Sequence, residues 1–246
     1  MKALQIIIIE LCLICFLLQS CIFNYKRGNG NIEIAEISID NFEKINVGGN
    51  YNVTLVQSKE SRVTITTDQN LLTYINTEVH NKTLNINNVH KLKSSDGIKV
   101  DIYYNTIEKL YSTGTSKIDN EGVLESEHLT ISLSGAGAID LELATSTLKV
   151  NLTGAGVITL SGKTVHQEIQ MSGAGGLSAK ELSSDICSIN LSGLGGAEVY
   201  ANEKLEATIT GLGGIIYSGN PSIIERQVTG IGRIKRAEEF LEHENI

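Results

Sequence analysis

The sequence predicts an all-β protein: a right-handed parallel β-helix-like solenoid with coils of about 19 residues and a less regular, β-rich amino-terminal half. A Gly-x-Gly motif recurs through the second half of the chain, and apolar and polar residues alternate on both sides of it. The 246 residues include 24 glycines but one proline, unlike disordered linkers, in which both usually rise together. The right-handed sense follows from the general chirality of parallel strand crossovers.

The Gly-x-Gly motif sets the period of the solenoid. It begins in degenerate form at Gly114, and successive first glycines are 21, 19, 19, 20, 18 and 19 residues apart. We predict a corner of the chain at each motif, because glycine reaches φ > 0 without steric cost and lets adjacent backbones approach closely. The predicted structural corners are Gly135, Gly137, Gly154, Gly156, Gly173, Gly175, Gly193, Gly195, Gly211, Gly213, Gly230 and Gly232.

The residues around each corner predict strands with one buried face. Before Gly154, for example, Val150 and Leu152 are apolar while Asn151 between them is polar. This period of two is that of a half-buried strand. So short a repeat cannot bury its apolar face alone, so neighbouring coils must stack, about 4.8 Å apart. The hydroxyl residue before each corner, such as Ser172, is expected to form a ladder along one edge, in which the hydroxyls hydrogen-bond to each other and to corner amides.

The amino-terminal half predicts further strands without the glycine repeat. Residues 45–47, 51–56 and 63–66 alternate apolar and polar side chains. Asp68 is a plausible cap for two turns of helix over residues 69–75. Because no linker separates the halves, we assign residues 33–235 to one domain. A charged tail over residues 236–246 follows, with a short terminal helix expected there.

The first residues read as an export signal. Lys2 precedes an apolar stretch, and the segment ends at Leu18-Gln19-Ser20-Cys21, which resembles the bacterial lipobox. The continuous apolar run over residues 11–18 is far shorter than the roughly 20 residues that a membrane-spanning helix needs. We therefore predict a signal peptide over residues 1–20, lipidation of Cys21 and a tether over residues 21–32. No Asp follows Cys21, so we expect an outer-membrane lipoprotein, on the periplasmic side or the cell surface.

The remaining chemistry-bearing residues predict no cofactor, metal or catalytic site. Cys12 and Cys15 leave with the signal, and Cys187 takes an inward position of the repeat, where a buried thiol is expected. The corners lack the Gly-x-Gly-x-x-Gly fingerprint of dinucleotide sites, and no His-Glu-x-x-His or Gly-x-Ser-x-Gly motif occurs. The net charge of −8 excludes nucleic acid as a default partner.

With these features together, the chain resembles a bacterial family called "putative auto-transporter adhesin, head GIN domain". The resemblance covers residues from about 42 to 235 and rests mainly on the serial glycine corners. The strand entry at residues 42–48 and the segments at residues 68–72 and 217–221 support it. It implies an all-β solenoid, export to the envelope and no known enzymatic activity.

We therefore predict a lipid-anchored envelope protein with a non-catalytic binding or structural role, such as adhesion to a glycan or an envelope protein. The membrane partner would be reached through the lipid on Cys21. The alternative is a carbohydrate-active enzyme, because β-solenoids also host polysaccharide lyases and hydrolases. Such sites use carboxylates, often with Arg or Lys and aromatic platforms, yet between Gly114 and Gly232 the aromatic residues and arginines are limited to Tyr200, Tyr217 and Arg226.

Overall fold

The computed structural model describes residues 25–238, so the predicted signal peptide, Cys21 and residues 239–246 lie outside the described part. Within it the chain forms a parallel β-solenoid, which confirms the predicted fold class and the period of about 19 residues. In chain order the strands are β1 (Lys26–Arg27), β2 (Ile32–Ser38), β3 (Lys44–Gly48), β4 (Asn52–Gln57), β5 (Arg62–Asp68), β6 (Ile75–His80), β7 (Thr83–Asn88), β8 (Leu92–Lys93), β9 (Lys99–Tyr104), β10 (Lys109–Ser112), β11 (Lys117–Glu121), β12 (Leu124–Leu133), β13 (Ala138–Leu152), β14 (Val157–Met171), β15 (Gly176–Leu191), β16 (Leu194–Tyr200), β17 (Lys204–Ile209), β18 (Leu212–Ser218), β19 (Ile223–Val228) and β20 (Ile231–Arg236). No helix within residues 25–238 is long and apolar enough to cross a membrane.

Neighbouring coils stack with equivalent residues side by side. In the long strands β13, β14 and β15, Val150 lies opposite Ile169, which in turn lies opposite Ile189. All three side chains are buried, as the period of two predicts. Cys187 belongs to the same interior and is fully buried, and burial raises the pKa of its thiol to about 12. One continuous hydrophobic cluster runs through the described chain, from Phe42 to Tyr217.

The unequal spacing of the corners has local causes. Between β14 and β15 the register shifts, because Thr159 pairs with Ser178 whereas Ser161 pairs with Glu181. This bulge absorbs the extra residue of the 20-residue spacing. The 21-residue spacing contains a turn at Gly122, where φ is 69°. Irregular spacings therefore leave the stacking of the interior intact.

The amino-terminal half is more solenoidal than its sequence indicates. Strands β3 and β4 form a layer that pairs in parallel with β10 and β11 on one side and with β7 and β9 on the other. The order of these strands in the sheet therefore differs from their order along the chain. The antiparallel strands β2, β5 and β6 pack at this end, since β2 pairs with β5, β5 with β9, and β6 with β7. The insertion of β5–β9 between two stacked layers hides the period in the sequence.

The predicted helix after Asp68 is a shorter 3₁₀ helix, over Gln69–Tyr74, and Asp68 makes no side-chain capping bond to it. Its buried carboxylate instead accepts hydrogen bonds from the hydroxyls of Ser94 and Ser95 and from the amides of Ser95 and Gly30. These bonds, led by that from Ser94, hold the pKa of the Asp68 carboxyl well below its usual range. Asp68 thus fastens the first described segment and the loop after β8 to β5.

Candidate functional site

A polar groove crosses successive coils at a second bend of the solenoid. The parallel ladder there skips one residue in each coil: Glu127, Ser146, Val165 or Asp185. We call this feature the second-bend groove. It is open to solvent and has a volume of about 840 Å³. Its lining residues are Gln57, Thr106, Glu125, Ser126, Glu127, Ala144, Thr145, Ser146, Lys163, Thr164, Val165, Ser183 and Asp185.

A column of hydroxyl side chains lies along the floor of this bend. Ser126, Thr145, Thr164 and Ser184 occupy equivalent positions in four consecutive coils. The Thr145 hydroxyl donates to the carbonyls of Glu127 and Thr147, both at 3.1 Å. The Thr164 hydroxyl likewise donates to the carbonyl of His166, so these side chains tie the main chain together where the ladder skips a residue. The floor hydroxyls therefore stabilise the bend itself.

The walls of the groove face solvent and carry the groups available to a ligand. Ser146, Ser183 and Thr106 offer hydroxyls on exposed side chains. Charges are mixed, because Lys163 stands among carboxylates such as Glu127. This arrangement offers both donors and acceptors along an extended path across the coils.

The sequence-based predictions do not include this hydroxyl column, although the sequence contains a periodic signal for it. Ser126, Thr145, Thr164 and Ser184 each stand nine residues before the first glycine of the next corner. Because the corner motif dominates the repeat, the weaker hydroxyl period does not stand out beside it.

The predicted corner glycines lie along a different edge and form no part of the groove. Each corner is stitched to the coil before it: the Ala174 amide, for example, donates to the Gly154 carbonyl at 3.0 Å. A Cβ placed on Gly173 would lie 1.9 Å from the same carbonyl oxygen. Among the twelve corner glycines only Gly195 has φ in the left-handed range. Of the two reasons for predicting glycine at the corners, positive φ therefore applies to Gly195 alone, whereas close backbone approach, which leaves no space for a side chain, applies to all twelve.

The hydroxyl residues that precede the corners also differ from expectation. Within residues 25–238 no hydroxyl of this column donates to another. Instead the Thr113 and Ser192 hydroxyls donate to the carbonyls of Val47 and Met171, at 3.5 and 3.3 Å. Both acceptors are main-chain carbonyls of the neighbouring coil.

Charged side chains outside the groove pair with one another across coils. Lys149 lies 2.9 Å from Glu168, and Lys204 bridges Glu206 and Glu225. The Lys204–Glu206 pair lies within strand β17, whereas the other two pairs join neighbouring coils. No group of three or more His, Cys, Asp and Glu side chains in the described part of the chain is placed to hold a metal ion.

The coils and their solvent-facing groove define a β-solenoid with an open polar face. The family model described as "Putative auto-transporter adhesin, head GIN domain" matches residues 41–221, and the chain belongs to this family. The resemblance drawn from the glycine corners is thereby confirmed. Membership indicates an adhesin-like protein of the cell envelope or surface.

Solved structures share the fold over nearly their whole length. A putative adhesin from Bacteroides fragilis superposes with a TM-score of 0.82 at 24% identity, covering 86% of this chain and 99% of that one. A putative lipid binding protein from Parabacteroides distasonis gives 0.74 at 25% identity, covering 87% and 100%. A putative adhesin from Parabacteroides merdae gives 0.70 at 22% identity, covering 87% and 99%. Among curated protein sequences, none matches this chain.

Proposed function

We propose that this protein is a lipid-anchored envelope adhesin that binds an extended glycan along the second-bend groove without transforming it. The observation that carries the proposal is the continuity of polar, solvent-facing side chains across successive coils. A groove open at its sides accepts a long chain more readily than an enclosed pocket does. Sugar hydroxyls both donate and accept hydrogen bonds, which matches walls made of hydroxyl, carboxylate and ammonium groups.

The state of the floor hydroxyls favours binding over catalysis. Thr145 and Thr164 donate to main-chain carbonyls, so neither hydroxyl is poised as a nucleophile. Carboxylates such as Glu127 also line the groove and are the groups that glycosidases use, so the Glu127→Gln measurement described below decides between binding and cleavage. A nucleophilic hydroxyl needs an adjacent base within hydrogen-bond reach. The role supported here is therefore recognition by hydrogen bonds.

The binding role is tested with the purified protein on an array of bacterial and host polysaccharides. We expect retention of at least one neutral or zwitterionic polysaccharide, and a loss of roughly tenfold or more in affinity for Ser146→Trp, whose indole would obstruct the groove. Thr159→Trp, at an exposed position outside the groove, is the matched control. Absence of binding across the array, or equal loss in both variants, would remove the proposal's support. Release of reducing sugars that Glu127→Gln abolishes would favour the enzyme instead.

Membrane attachment is proposed to occur through Cys21 after removal of residues 1–20. The Leu18-Gln19-Ser20-Cys21 segment supports this step, since it combines a lipobox-like end with an apolar run too short to span a bilayer. In cells fed an alkyne fatty acid, we expect labelling of the protein and its loss in Cys21→Ser. Persistent labelling of Cys21→Ser would reject the assignment. Cys187→Ser is the control and should label normally.

A further inference from the structure

A small ribbon of two parallel strands stands outside the main sheet. Its strands β1 and β8 are hydrogen-bonded to each other, with the Lys26 amide 2.8 Å from the Lys91 carbonyl. Arg27 pairs with Lys93, and side chains alternate between the two faces of a strand. Lys26 and Leu92 are half-buried on the inner face, while Tyr25, Arg27, Lys91 and Lys93 are exposed on the outer face.

The ribbon is strongly basic on an acidic protein. It gathers Lys26, Arg27, Lys91 and Lys93, whereas the whole chain has a net charge of −8. The two segments that build it, residues 25–31 and 81–95, contain no Asp or Glu. Within the described part of the chain neither Arg27 nor Lys93 pairs with a carboxylate.

The carboxylates near the ribbon offset only part of this charge, since the ionised Asp68, which lies beside Gly28, brings one negative charge against four basic side chains. Both oxygens of Asp68 are buried and already accept hydrogen bonds from residues 30, 94 and 95. Asp96 pairs with Lys99 at 3.6 Å. The outer face of the ribbon therefore presents Arg27 and Lys93 to solvent, and within residues 25–238 neither forms an ion pair.

Apolar and aromatic groups accompany the cations. Val89, just before β8, is 91% exposed, and Tyr25 is 42% exposed. Lys26 lies 5.3 Å from the centroid of the Tyr74 ring, which also packs edge-on against His90. Tyrosines and basic side chains beside an exposed apolar residue are the composition of protein surfaces that rest at a bilayer interface.

The length of the tether brings this surface to the membrane. This step rests on the proposed anchoring at Cys21, from which only five residues lead to Lys26. A fully extended chain spans at most about 3.6 Å per residue, so the ribbon would lie within roughly 18 Å of the anchored residue. Basic side chains that approach an anionic leaflet to within a Debye length, about 8 Å at physiological salt, are attracted to it.

We propose that the outer face of the β1–β8 ribbon docks on anionic phospholipid headgroups of the membrane that carries the anchor. Arg27 and Lys93 contact the phosphates, and Val89 enters the headgroup region. The lipid then holds the protein near the bilayer, and the ribbon fixes which side of the domain faces it.

The absence of tryptophan from the chain allows a direct test. Full-length protein purified from membranes, as Val89→Trp, is reconstituted into vesicles of phosphatidylcholine alone or with phosphatidylglycerol. Both contain lipids brominated near the headgroup, which quench tryptophan fluorescence. We expect at least twofold stronger quenching in the anionic vesicles, with the difference lost in high salt. Ile231→Trp, at a 75% exposed position in the last coil, is the matched reporter and should give no such difference.

Charge variants then assign the effect to the ribbon. In the Val89→Trp background, Arg27→Gln with Lys93→Gln should reduce quenching in anionic vesicles to the level seen in phosphatidylcholine. Lys59→Gln with Arg233→Gln changes net charge equally at exposed positions elsewhere and should leave quenching unchanged. Equal quenching in both vesicle types would overturn the proposal. Charge-dependent binding to heparin without the lipid effect would overturn it too, assigning the ribbon to a soluble polyanion.

Mass spectrometry of the Cys21 peptide separates the two proposals. If Cys21 is acylated and the Val89→Trp reporter is not selectively quenched, the docking surface is wrong and the anchor stands. If Cys21 carries no lipid, the anchor is wrong, and cosedimentation with the same vesicles tests the docking surface separately. Binding only to anionic vesicles, with loss of binding in Arg27→Gln with Lys93→Gln, supports docking. Equal binding to both vesicle types contradicts docking.

Discussion

At the scale of single residues, Gly173 and Gly176 show how differently two nearby glycines are used. A Cβ on Gly173 would lie 1.9 Å from the Gly154 carbonyl oxygen, whereas a Cβ on Gly176 would meet no atom within 4 Å. We expect Gly173→Ala to lower the free energy of unfolding by about 2–3 kcal/mol, through a forced backbone shift. Gly176→Ala should stay within about 0.5 kcal/mol. Urea unfolding of both variants measures the difference; equal stabilities would contradict the close-approach explanation.

Gln167 is an unpaired polar residue in the interior. Its register neighbours in the adjoining coils are Leu148 and Cys187, it is 2% exposed, and neither its oxygen nor its nitrogen has a hydrogen-bond partner. Because an unsatisfied buried amide costs about 1–3 kcal/mol, Gln167→Leu should raise the melting temperature, and the reverse exchange Leu148→Gln should lower it. A lower melting temperature for Gln167→Leu would show that the amide has a stabilising partner.

The hydrogen bonds to the Asp68 carboxylate make the stability of the fold sensitive to acid. Its carboxyl pKa is lowered in the folded state, chiefly by the Ser94 hydroxyl, so its contribution is present above the unfolded pKa of about 3.9 and is lost as pH falls below it. Asp68→Asn should therefore unfold more easily at neutral pH, and its deficit should shrink below about pH 4. Asp96→Asn, an exposed partner of Lys99, should follow the unmodified protein throughout. A deficit independent of pH would count against this linkage.

At the scale of elements, the second bend depends on its column of hydroxyls. Thr145 is 8% exposed and donates to the carbonyls of Glu127 and Thr147. Thr145→Val should cost about 1–3 kcal/mol of stability, because it leaves these acceptors unsatisfied. Thr159→Val makes the same exchange at an exposed position and should be nearly neutral. Thermal unfolding compares them, and matching losses would mean that the hydroxyl at the bend is dispensable.

The strands that the sequence predicts well are those whose neighbours in space are also neighbours in the repeat. Val150, Ile169 and Ile189 can be aligned because about 19 residues separate stacked equivalents. The layer of β3 and β4 cannot be aligned in this way, because an inserted segment separates Gly49 from Gly114, its neighbour in the next layer. The ribbon and the groove could not be predicted from the sequence for another reason. Each brings residues together through tertiary contacts that leave only a weak periodic signal in the sequence.

At the scale of the whole molecule, stacked coils should behave as separable units. In repeat proteins stability is approximately a sum of coil and nearest-neighbour contributions. Deleting residues 154–172 removes one complete coil and joins Thr153 to Gly173, which preserves the sequence of the corner. This variant should fold with a modestly lower melting temperature. Deleting residues 154–163, about half a coil, should prevent folding because the two corners no longer align. Circular dichroism decides, and failure of the whole-coil deletion alone would contradict modularity.

The strand edges of the last coil bear on whether copies of this protein associate with one another. Within residues 25–238, strands β19 and β20 each pair on one side, and the column of Ile189 and Ala207 ends in Arg226, which is exposed. Unpaired strand edges invite growth by addition of another chain, and an inward-pointing charge is a known deterrent because covering it would bury an unpaired cation. A second solenoid added to this edge would have to cover the Arg226 cation, so we expect this edge to disfavour end-to-end growth of identical copies.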